Sequence, residues 1–439
     1  MAWRAGKPVE ARTLLEQART TFAERGDTRA AARASARLAE IDFSDGHPQQ
    51  AVARLEPALD ALEAVEPDED LAVLAERLGR FLIFNGENER AAPHLERALS
   101  LAEALDLPET LAHALNSKSI LLLRRDRPYE ARILLEGALA LALAHHLHAA
   151  AFRTYNNLAA LLYDQSERWA DVLTITDRGL ELARRVGDRY SEAIFLAGHV
   201  SPLVMLGRWD EAQARAGEAE ELATTSFVES ILLEAVGIHG ERGALEQARQ
   251  LLTRLTAVAQ SEETEAVAGY AITEARLLRA EGRPSEALAA AERALVLCAE
   301  IGATSGSRKL ALVEALEAAA ALDDTDTVRQ LLATLDQLRP GELTPFLKAQ
   351  RARFRARLTE HEADTEFSTA EELFREHDTP FYLAVTQLEH AERLAAHGRA
   401  DQAEPLLTQA REIFQRLQAK PWLDRLAAAQ TQQPTQARA

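Results

Sequence analysis

Gly282-Arg283-Pro284-Ser285-Glu286-Ala287-Leu288 separates two stretches of regularly spaced apolar residues and decides how this chain folds. Gly282 ends the preceding helix, because glycine accepts the left-handed conformation that closes a helix end. Pro284 begins the next helix, where its missing N–H costs no hydrogen bond, and Glu286 places negative charge near the positive end of that helix. The stretch therefore predicts a turn between two helices. Related turns recur at 6–11, 126–131, 207–212 and 398–403.

A small or apolar residue follows such turns at intervals of 36 to 41 residues along nearly the whole chain. A repeat of this length is the sequence signature of stacked helical hairpins, in which each unit contacts only its neighbours. Glycine (20), proline (15) and aromatic residues (5%) are sparse, which favours helix. We therefore predict an all-α, right-handed superhelical solenoid of about ten to eleven hairpins. The anchors of the repeat are Ala11, Ala51, Ala91, Ala131, Val172, Ala212, Ala248, Ala287, Val328, Phe367 and Ala403.

The two ends of the predicted solenoid differ. We expect one continuous array over 1–429, with an N-terminal half-repeat at 1–24 and a C-terminal capping helix at about 421–429. The half-repeat lacks most of its partner helix, so Leu14, Leu15 and Phe22 keep an uncovered side. Either the chain is part of something longer or another surface covers this end. The polar segment 430–439 is expected to be disordered.

Composition restricts the partners and the compartment. The formal charge is −19, from 50 basic and 69 acidic residues, so the overall field repels a phosphate backbone unless the basic groups are strongly segregated. We therefore predict that nucleic acid is not a partner. The single cysteine, Cys298, excludes an intrachain disulfide and a cysteine-rich metal site. Because the chain has neither an apolar signal core nor a run of about 18 uncharged apolar residues, we expect a soluble, cytoplasmic protein without a membrane partner.

Several segments carry a resemblance to a known repeat family: 99–108, 155–159, 179–189, 207–212 and 410–423. They are similar to tetratricopeptide repeats of the longer kind found in MalT-like transcription activators. They most resemble the C-terminal repeat region of large bacterial proteins that carry a class III adenylate or guanylate cyclase domain, or a LuxR-type DNA-binding domain, beside an AAA-type ATPase. The resemblance implies a sensing, scaffolding or autoregulatory module.

The chain lacks the motifs of the catalytic domains that accompany such repeats. No Gly-x-x-x-x-Gly-Lys-Ser/Thr phosphate loop is present, because Gly6-Lys7 is followed by Pro8 and has no upstream glycine. His145 and His148 share a helix face, but no carboxylate or cysteine stands at helical spacing to complete a metal site. No nucleophile, base and orienting group can be assembled from spacing. We therefore predict no enzymatic activity, no catalytic residue, no bound metal and no cofactor.

Five polar residues on the first helices of successive units are candidates for binding a partner. Asn116 and Asn157 each lie fifteen residues before an anchor, and Lys118, Arg153 and Asn156 are near enough to contribute. In tetratricopeptide proteins the first helices often line the concave face, where an asparagine amide can pair with the backbone of an extended peptide. Alternatively, the two amides bond within the solenoid and fix neighbouring first helices.

Two functions follow from these features. The first is a non-enzymatic scaffold or sensor that binds a protein or peptide in its concave groove, as a module of a bacterial signalling or transcription-regulatory system. The alternative is a structural or assembly module that forms a homo-oligomer through Leu14, Leu15 and Phe22.

Overall fold

The structure, a computed structural model, describes residues 8–64, 67–165, 167–222, 226–261, 263–300 and 305–431. Within these ranges no β-strand occurs, and consecutive helices pack against each other as hairpins. The prediction of an all-α solenoid of helical hairpins is confirmed. The helices, in chain order, are α1 Pro8–Glu24, α2 Thr28–Ser44, α3 Pro48–Glu63, α4 Glu69–Phe84, α5 Asn88–Ala104, α6 Pro108–Arg124, α7 Pro128–Ala144, α8 His148–Gln165, α9 Trp169–Val186, α10 Arg189–Gly198, α11 Val200–Met205, α12 Trp209–Leu222, α13 Ser226–Glu241, α14 Leu245–Arg254, α15 Thr256–Ala259, α16 Thr264–Ala280, α17 Pro284–Leu297, α18 Gly306–Ala321, α19 Thr325–Asp336, α20 Pro345–Leu358, α21 Ala363–Glu376, α22 Pro380–Ala396, α23 Ala400–Leu417 and α24 Lys420–Thr431.

The turns end one helix and begin the next as the repeated sequence predicts. Gly282 has a φ of 74°, and α17 begins two residues later at Pro284. At several turns without glycine an aspartate takes the left-handed position, as at Asp126 (φ 54°) and Asp378 (φ 49°), and at others the residue is His146, Glu167 or Gln418. Aspartate is among the few residues with a side chain that visit this region. The residues of these turns therefore determine where one helix of a hairpin ends and the next begins.

The anchors of the repeat form the contact between helices. All eleven are buried, with between 0% and 6% of their surface exposed. Seven residues further along the second helix, a small residue lets helices approach closely: a Cβ added to Gly179 would lie 2.3 Å from Phe195 Cε1. Leu255, Leu335 and Phe374 occupy this position in three units and are buried there. The repeat thus tolerates both close and wider helix spacing.

The chain gathers into two compact units. The N-terminal unit extends to Leu158 and the C-terminal unit begins at Ala159. The N-terminal unit has an apolar core that includes Phe81 and Leu95, and the largest core cluster of the C-terminal unit includes Phe414. Whether one continuous array spans 1–429 stays a prediction.

The ends of the predicted array lie partly outside the described residues. Residues 1–7 of the half-repeat and 432–439 of the predicted tail are in this group. Helix α24 covers the segment predicted to cap the array, and it includes Gln430, whose side-chain oxygen accepts a hydrogen bond from Arg411. Among the helices that the structure describes, none is both long and apolar enough to cross a bilayer.

Candidate functional site

Charged residues recur on the first helices of the hairpins at two fixed positions, 14 and 11 residues before the anchors. The two positions are three residues apart, so they share one helix face. In the C-terminal unit the first position holds Glu234, Glu314, Arg353 and Glu389. Residues of opposite sign on adjacent first helices face one another there, as the ion pairs below show.

These charges form an inner ladder of ion pairs in the C-terminal unit. Arg276 Nε and Arg279 Nε donate to the two carboxylate oxygens of Glu314 at 3.0 and 3.2 Å. Arg353 donates to both oxygens of Glu389 at 2.7 Å each. The Arg353 side chain is 0% exposed, so the ladder lies inside the unit. The inner ladder consists of Glu234, Glu241, Arg276, Arg279, Glu314, Glu317, Arg353 and Glu389.

Burial and pairing act in opposite directions on the carboxylates of the ladder. Burial opposes the ionisation of Glu389, but the charge of Arg353 outweighs it and lowers the pKa of Glu389 to about 2. The pKa of Glu314 is lowered as well, because Arg279 and Arg276 outweigh its burial. Glu389 and Glu314 are therefore ionised at neutral pH, and each depends on its arginine partners for compensation.

Helices distant in sequence close over the inner ladder. Trp422 Nε1 on α24 donates to Glu241 Oε2 at 2.7 Å, and Arg242 Nε donates to the Leu417 carbonyl at 3.0 Å. The remaining cavity measures about 40 Å³, which is room for a few water molecules. Over the described residues of this unit, the space above the inner ladder is therefore too small for a peptide, and whether a concave groove binds a partner stays a prediction. The physical reason is that bulky and charged side chains of the first helices fill the space that a peptide would need.

A second buried contact joins the start of the C-terminal unit to α18 and α20. Lys309 Nζ donates to Glu167 Oε1 at 2.6 Å, and Glu167 Oε2 accepts the Phe346 N–H at 2.6 Å. Asp164 Oδ1 accepts the Gly306 N–H at 2.8 Å. Burial raises the pKa of Asp164 to about 7. Because these contacts join residues 142 to 179 positions apart, they hold the unit in its closed packing.

The inner face of the N-terminal unit carries a basic cluster. Arg77 Nε lies 3.3 Å from Glu40 Oε1, which also pairs with Arg80. Arg153 Nη1 lies 3.1 Å from Glu76 Oε1. Four arginines face two glutamates, a balance of +2 in a chain whose formal charge is −19. The basic cluster consists of Arg37, Arg77, Arg80 and Arg153 with Glu40 and Glu76.

The electrostatics of the basic cluster favour an incoming anion. Burial lowers the pKa of His113 to about 4, so this neighbour is neutral at pH 7. Burial opposes the ionisation of Glu76, but Arg153 and Arg80 outweigh it and lower its pKa to about 2. Arg37 is exposed, and the other three arginine side chains keep 13% to 17% of their surface accessible. Arg37 is therefore the member of the cluster that a ligand reaches most readily, whereas the Arg80 Nε is buried.

Asn116 and Asn157, two of the predicted partner-binding residues, bond to each other. Asn116 is 1% exposed, and its Nδ2 donates to Thr154 Oγ1 at 3.0 Å. Asn157 Nδ2 donates to Asn116 Oδ1 at 2.7 Å. These bonds link α6 to α8, which is the alternative that the sequence left open. Asn116 therefore does not offer its amide to a partner, because both the amide nitrogen and the amide oxygen are hydrogen-bonded within the unit.

The other three predicted residues divide between two places. Arg153 belongs to the basic cluster, and Asn156, on the same helix, is half-buried. Lys118 lies apart from them and pairs with Glu96 Oε1 on α5 at 2.7 Å. Sequence reasoning missed Arg37, and the signal that could have found it is the charge that recurs 14 residues before the anchors.

The uncovered side predicted for α1 is present at one residue. Leu14 is 53% exposed, whereas Leu15 and Phe22 are half-buried. Helix α1 packs on α2 through its other side. Self-association through these residues stays a prediction.

No protein-family model and no curated protein matches this chain. Solved structures share its fold. The APC/C hetero-tetramer Cut9-Hcn1 aligns with a TM-score of 0.50 and 14% identity over 96% of this chain and 94% of that one. The quorum sensor NprR from B. thuringiensis aligns at 0.40 and 12% over 87% and 98%, and the human IFIT1 dimer with m7Gppp-AAAA at 0.48 and 12% over 91% and 90%. These chains are tetratricopeptide-like, and at such identities the likeness shows the fold alone.

One of these structures corrects the prediction that nucleic acid is not a partner. Human IFIT1, a helical-repeat protein, is solved with the capped oligonucleotide m7Gppp-AAAA. A chain of this fold class can therefore hold RNA, so the exclusion drawn from net charge was wrong. The physical reason is that net charge describes the far field, whereas a ligand meets the local charge of one face, which here includes a basic cluster.

Proposed function

We propose that this chain is a protein-binding scaffold that holds an acidic segment of a partner protein against the basic cluster of the N-terminal unit. The observation that carries the proposal is the local balance of +2 on an inner helix face of a chain whose formal charge is −19. Arginine guanidinium groups bind carboxylates through two parallel hydrogen bonds, which favours aspartate and glutamate side chains. Arg37 is the most accessible member of the cluster and would make the first contact.

A peptide suits this face better than a nucleic acid does. The cluster offers arginines, glutamates, a serine and amides. The aromatic rings beside it, Phe43 and Phe81, stack on each other and lie under Arg80, and Phe84, which is 45% exposed, meets Phe43 edge to face. Asn156, half-buried on α8 beside Arg153, supplies an amide that can pair with a peptide backbone.

The setting we propose is a bacterial signalling or transcription-regulatory system, with the chain as its sensor or scaffold module. The support for this setting is the resemblance of 99–108, 155–159 and 179–189 to the repeat regions of cyclase-linked and LuxR-type regulators. Binding at the N-terminal unit would leave the closed C-terminal unit as a rigid body. The small size of the cavity above the inner ladder supports a structural role for the described part of that unit.

The test is selection of peptides of about 15 residues from a random display library against the whole chain, followed by fluorescence anisotropy. We expect the selected peptides to be rich in aspartate and glutamate, and their binding to weaken as salt rises from about 50 mM to about 300 mM. Arg37→Glu should weaken binding about tenfold or more. The matched control is Arg178→Glu, the same charge change at an exposed arginine on α9.

Three results would contradict this function. One is the selection of neutral or basic peptides, and another is equal affinity of the Arg37→Glu and Arg178→Glu variants. The third is tighter binding of a labelled single-stranded RNA of about 15 nucleotides than of any selected peptide, which would assign the cluster to nucleic acid.

A second candidate function is assembly through α1, and the 53% exposure of Leu14 favours it. Leu14→Glu should then abolish a homo-oligomer seen by light scattering, whereas Gln17→Glu, an exposed polar position on the same helix, should leave it intact. A wild-type chain that stays monomeric at about 200 µM rules this function out.

A further inference from the structure

Helix α7 exposes an apolar line on the side that faces away from its hairpin partner. Tyr129 is 84% exposed and Ile133 is 67% exposed. Gly137, Ala140 and Ala144 continue the line and are exposed too. Nothing lies within 4 Å of a Cβ added at Gly137, so the middle of the line is open. We call these five residues the α7 stripe.

The other second helices of this chain provide an internal comparison. The α7 stripe occupies positions −2, +2, +6, +9 and +13 relative to the anchor Ala131. Each of the ten other second helices has at least one charged residue at these positions, such as Glu89 and Arg97 in α5 or Arg178 and Glu181 in α9. The packing of hairpins therefore does not require an apolar residue there, and the stripe needs another explanation. An exposed apolar surface of this kind marks an interaction site.

Residue size changes along the stripe, so that two antiparallel copies of the stripe fit together. The bulky Tyr129 and Ile133 lie in the N-terminal half, and the small Ala140 and Ala144 lie in the C-terminal half. In an antiparallel pair with a two-fold axis at Gly137, the large residues of each copy face the small residues of the other. Gly137 lets the two backbones approach closely at the axis.

The charges around the stripe match the same arrangement. Asp126 and Glu130 lie at the N-terminal end of α7, where Glu130 also pairs with Arg127. His145 and His146 follow its C-terminal end, His148 begins α8, and all five residues are exposed. Along one side of the stripe, Arg132 and Glu136 pair with each other. An antiparallel pair brings the carboxylates of one copy beside the imidazoles of the other, where imidazole N–H groups can donate to them. The opposed helix dipoles add a small favourable contribution.

We propose that two copies of this chain associate through the α7 stripe as an antiparallel helix pair. The contact involves one helix per copy and buries less than the roughly 800 Å² per partner of a standard stable interface. The dimer should therefore form reversibly at concentrations of tens of micromolar, on the order of weak specific complexes.

Sedimentation equilibrium of the whole chain tests the interface. The apparent mass should rise from 48.2 kDa towards twice that value as concentration increases to about 200 µM. Ile133→Glu should weaken dimerisation about tenfold or more. Val296→Glu is the matched control, because Val296 is an equally apolar residue, 76% exposed, on another second helix, and it should leave dimerisation unchanged.

A second variant separates dimerisation from folding. Gly137→Leu adds a bulky side chain at the proposed axis, where the monomer has open space, and glycine costs a helix about 1 kcal/mol relative to alanine. We expect the variant to melt no lower than the wild type and to remain monomeric. A variant that dimerises as well as the wild type would overturn the proposal.

Cysteine cross-linking tests the antiparallel geometry. The native Cys298 is buried and will not react. Gly137→Cys should give a disulfide dimer. Tyr129→Cys alone should not give a disulfide dimer, because the two copies of residue 129 would be about 24 Å apart at 1.5 Å per residue. A mixture of the Tyr129→Cys and Ala144→Cys variants should give a mixed disulfide, because these two positions face each other in an antiparallel pair. Three outcomes would refute the α7 interface. The chain could stay monomeric at all concentrations, Tyr129→Cys could form a homodimer by itself, or a dimer could dissociate in Leu14→Glu but not in Ile133→Glu.

Discussion

Replacement of Arg353 by methionine should show what holds the C-terminal unit together. Arg353 is 0% exposed and donates to both carboxylate oxygens of Glu389 at 2.7 Å and to Glu317 Oε1 at 2.6 Å. Methionine fills much of the same volume but leaves two buried carboxylates without their main cation. Removing one partner of a buried pair costs about 3–5 kcal/mol of unfolding free energy.

The pKa of Glu389 gives the net magnitude of its burial, of Arg353 and of its other cationic neighbours, Arg357 and Arg425. Its lowering from 4.5 to about 2 corresponds to about 3 kcal/mol at 1.36 kcal/mol per pKa unit, an order-of-magnitude value. Because the folded-state pKa is lower than the unfolded one, this stabilisation is complete above about pH 4.5 and is lost as the pH falls towards about 2. In Arg353→Met, the effect of burial on Glu389 should exceed that of the remaining cations and raise the Glu389 pKa above its unfolded value. A group with a raised pKa destabilises the folded state more as the pH rises, so the loss of unfolding free energy should be larger at pH 7 than at pH 5.

Urea unfolding followed by tryptophan fluorescence measures this effect. Three of the four tryptophans, Trp169, Trp209 and Trp422, belong to the C-terminal unit, so the signal follows mainly the unfolding of that unit. Arg329→Met is the control, because Arg329 is 61% exposed and its pairing with Asp326 should be worth less than about 1 kcal/mol. A loss below about 1 kcal/mol for Arg353→Met at pH 7, or an equal loss at pH 5 and pH 7, would refute the reasoning.

Three further changes have defined expectations in thermal or urea unfolding. Gly179→Ala should cost about 1–3 kcal/mol because its Cβ would lie 2.3 Å from Phe195, whereas Gly217→Ala, with nothing within 4 Å, should stabilise by up to about 1 kcal/mol; similar effects at both sites would contradict the packing. Asp164→Asn should stabilise more at pH 8 than at pH 5, because burial raises the Asp164 pKa to about 7 and the folded state loses stability as the pH rises through that value; a gain that does not depend on pH would contradict this. Asn116→Ala should cost about 1–3 kcal/mol because it removes the acceptor of the Asn157 amide and the donor to the Thr154 hydroxyl, which keeps its own bond to the Ala150 carbonyl; unchanged unfolding with weakened peptide binding would instead place Asn116 on the binding surface.

The candidate site could be predicted only in part. Arg153, Asn156 and Asn157 lie on or beside the basic cluster, because residues at equivalent positions of a helical repeat share a face. Asn116 and Lys118 have different surroundings. A spacing of fifteen residues before an anchor fixes the helix face, but it does not say whether a neighbouring side chain such as Thr154 already occupies the amide.

The sequence by itself determined the hairpin fold of this protein. Turn residues such as Gly282 and Pro284 act through local backbone preferences, and buried anchors such as Ala51 act through contact with an adjacent helix, so both can be derived from neighbouring residues. Only the tertiary structure decided that the space above the inner ladder of the C-terminal unit is too small for a peptide. Contacts such as Trp422 to Glu241 join residues 181 positions apart, and they depend on small rotations between repeats that accumulate over many units. A pattern of residues within one repeat does not determine the sum of these rotations.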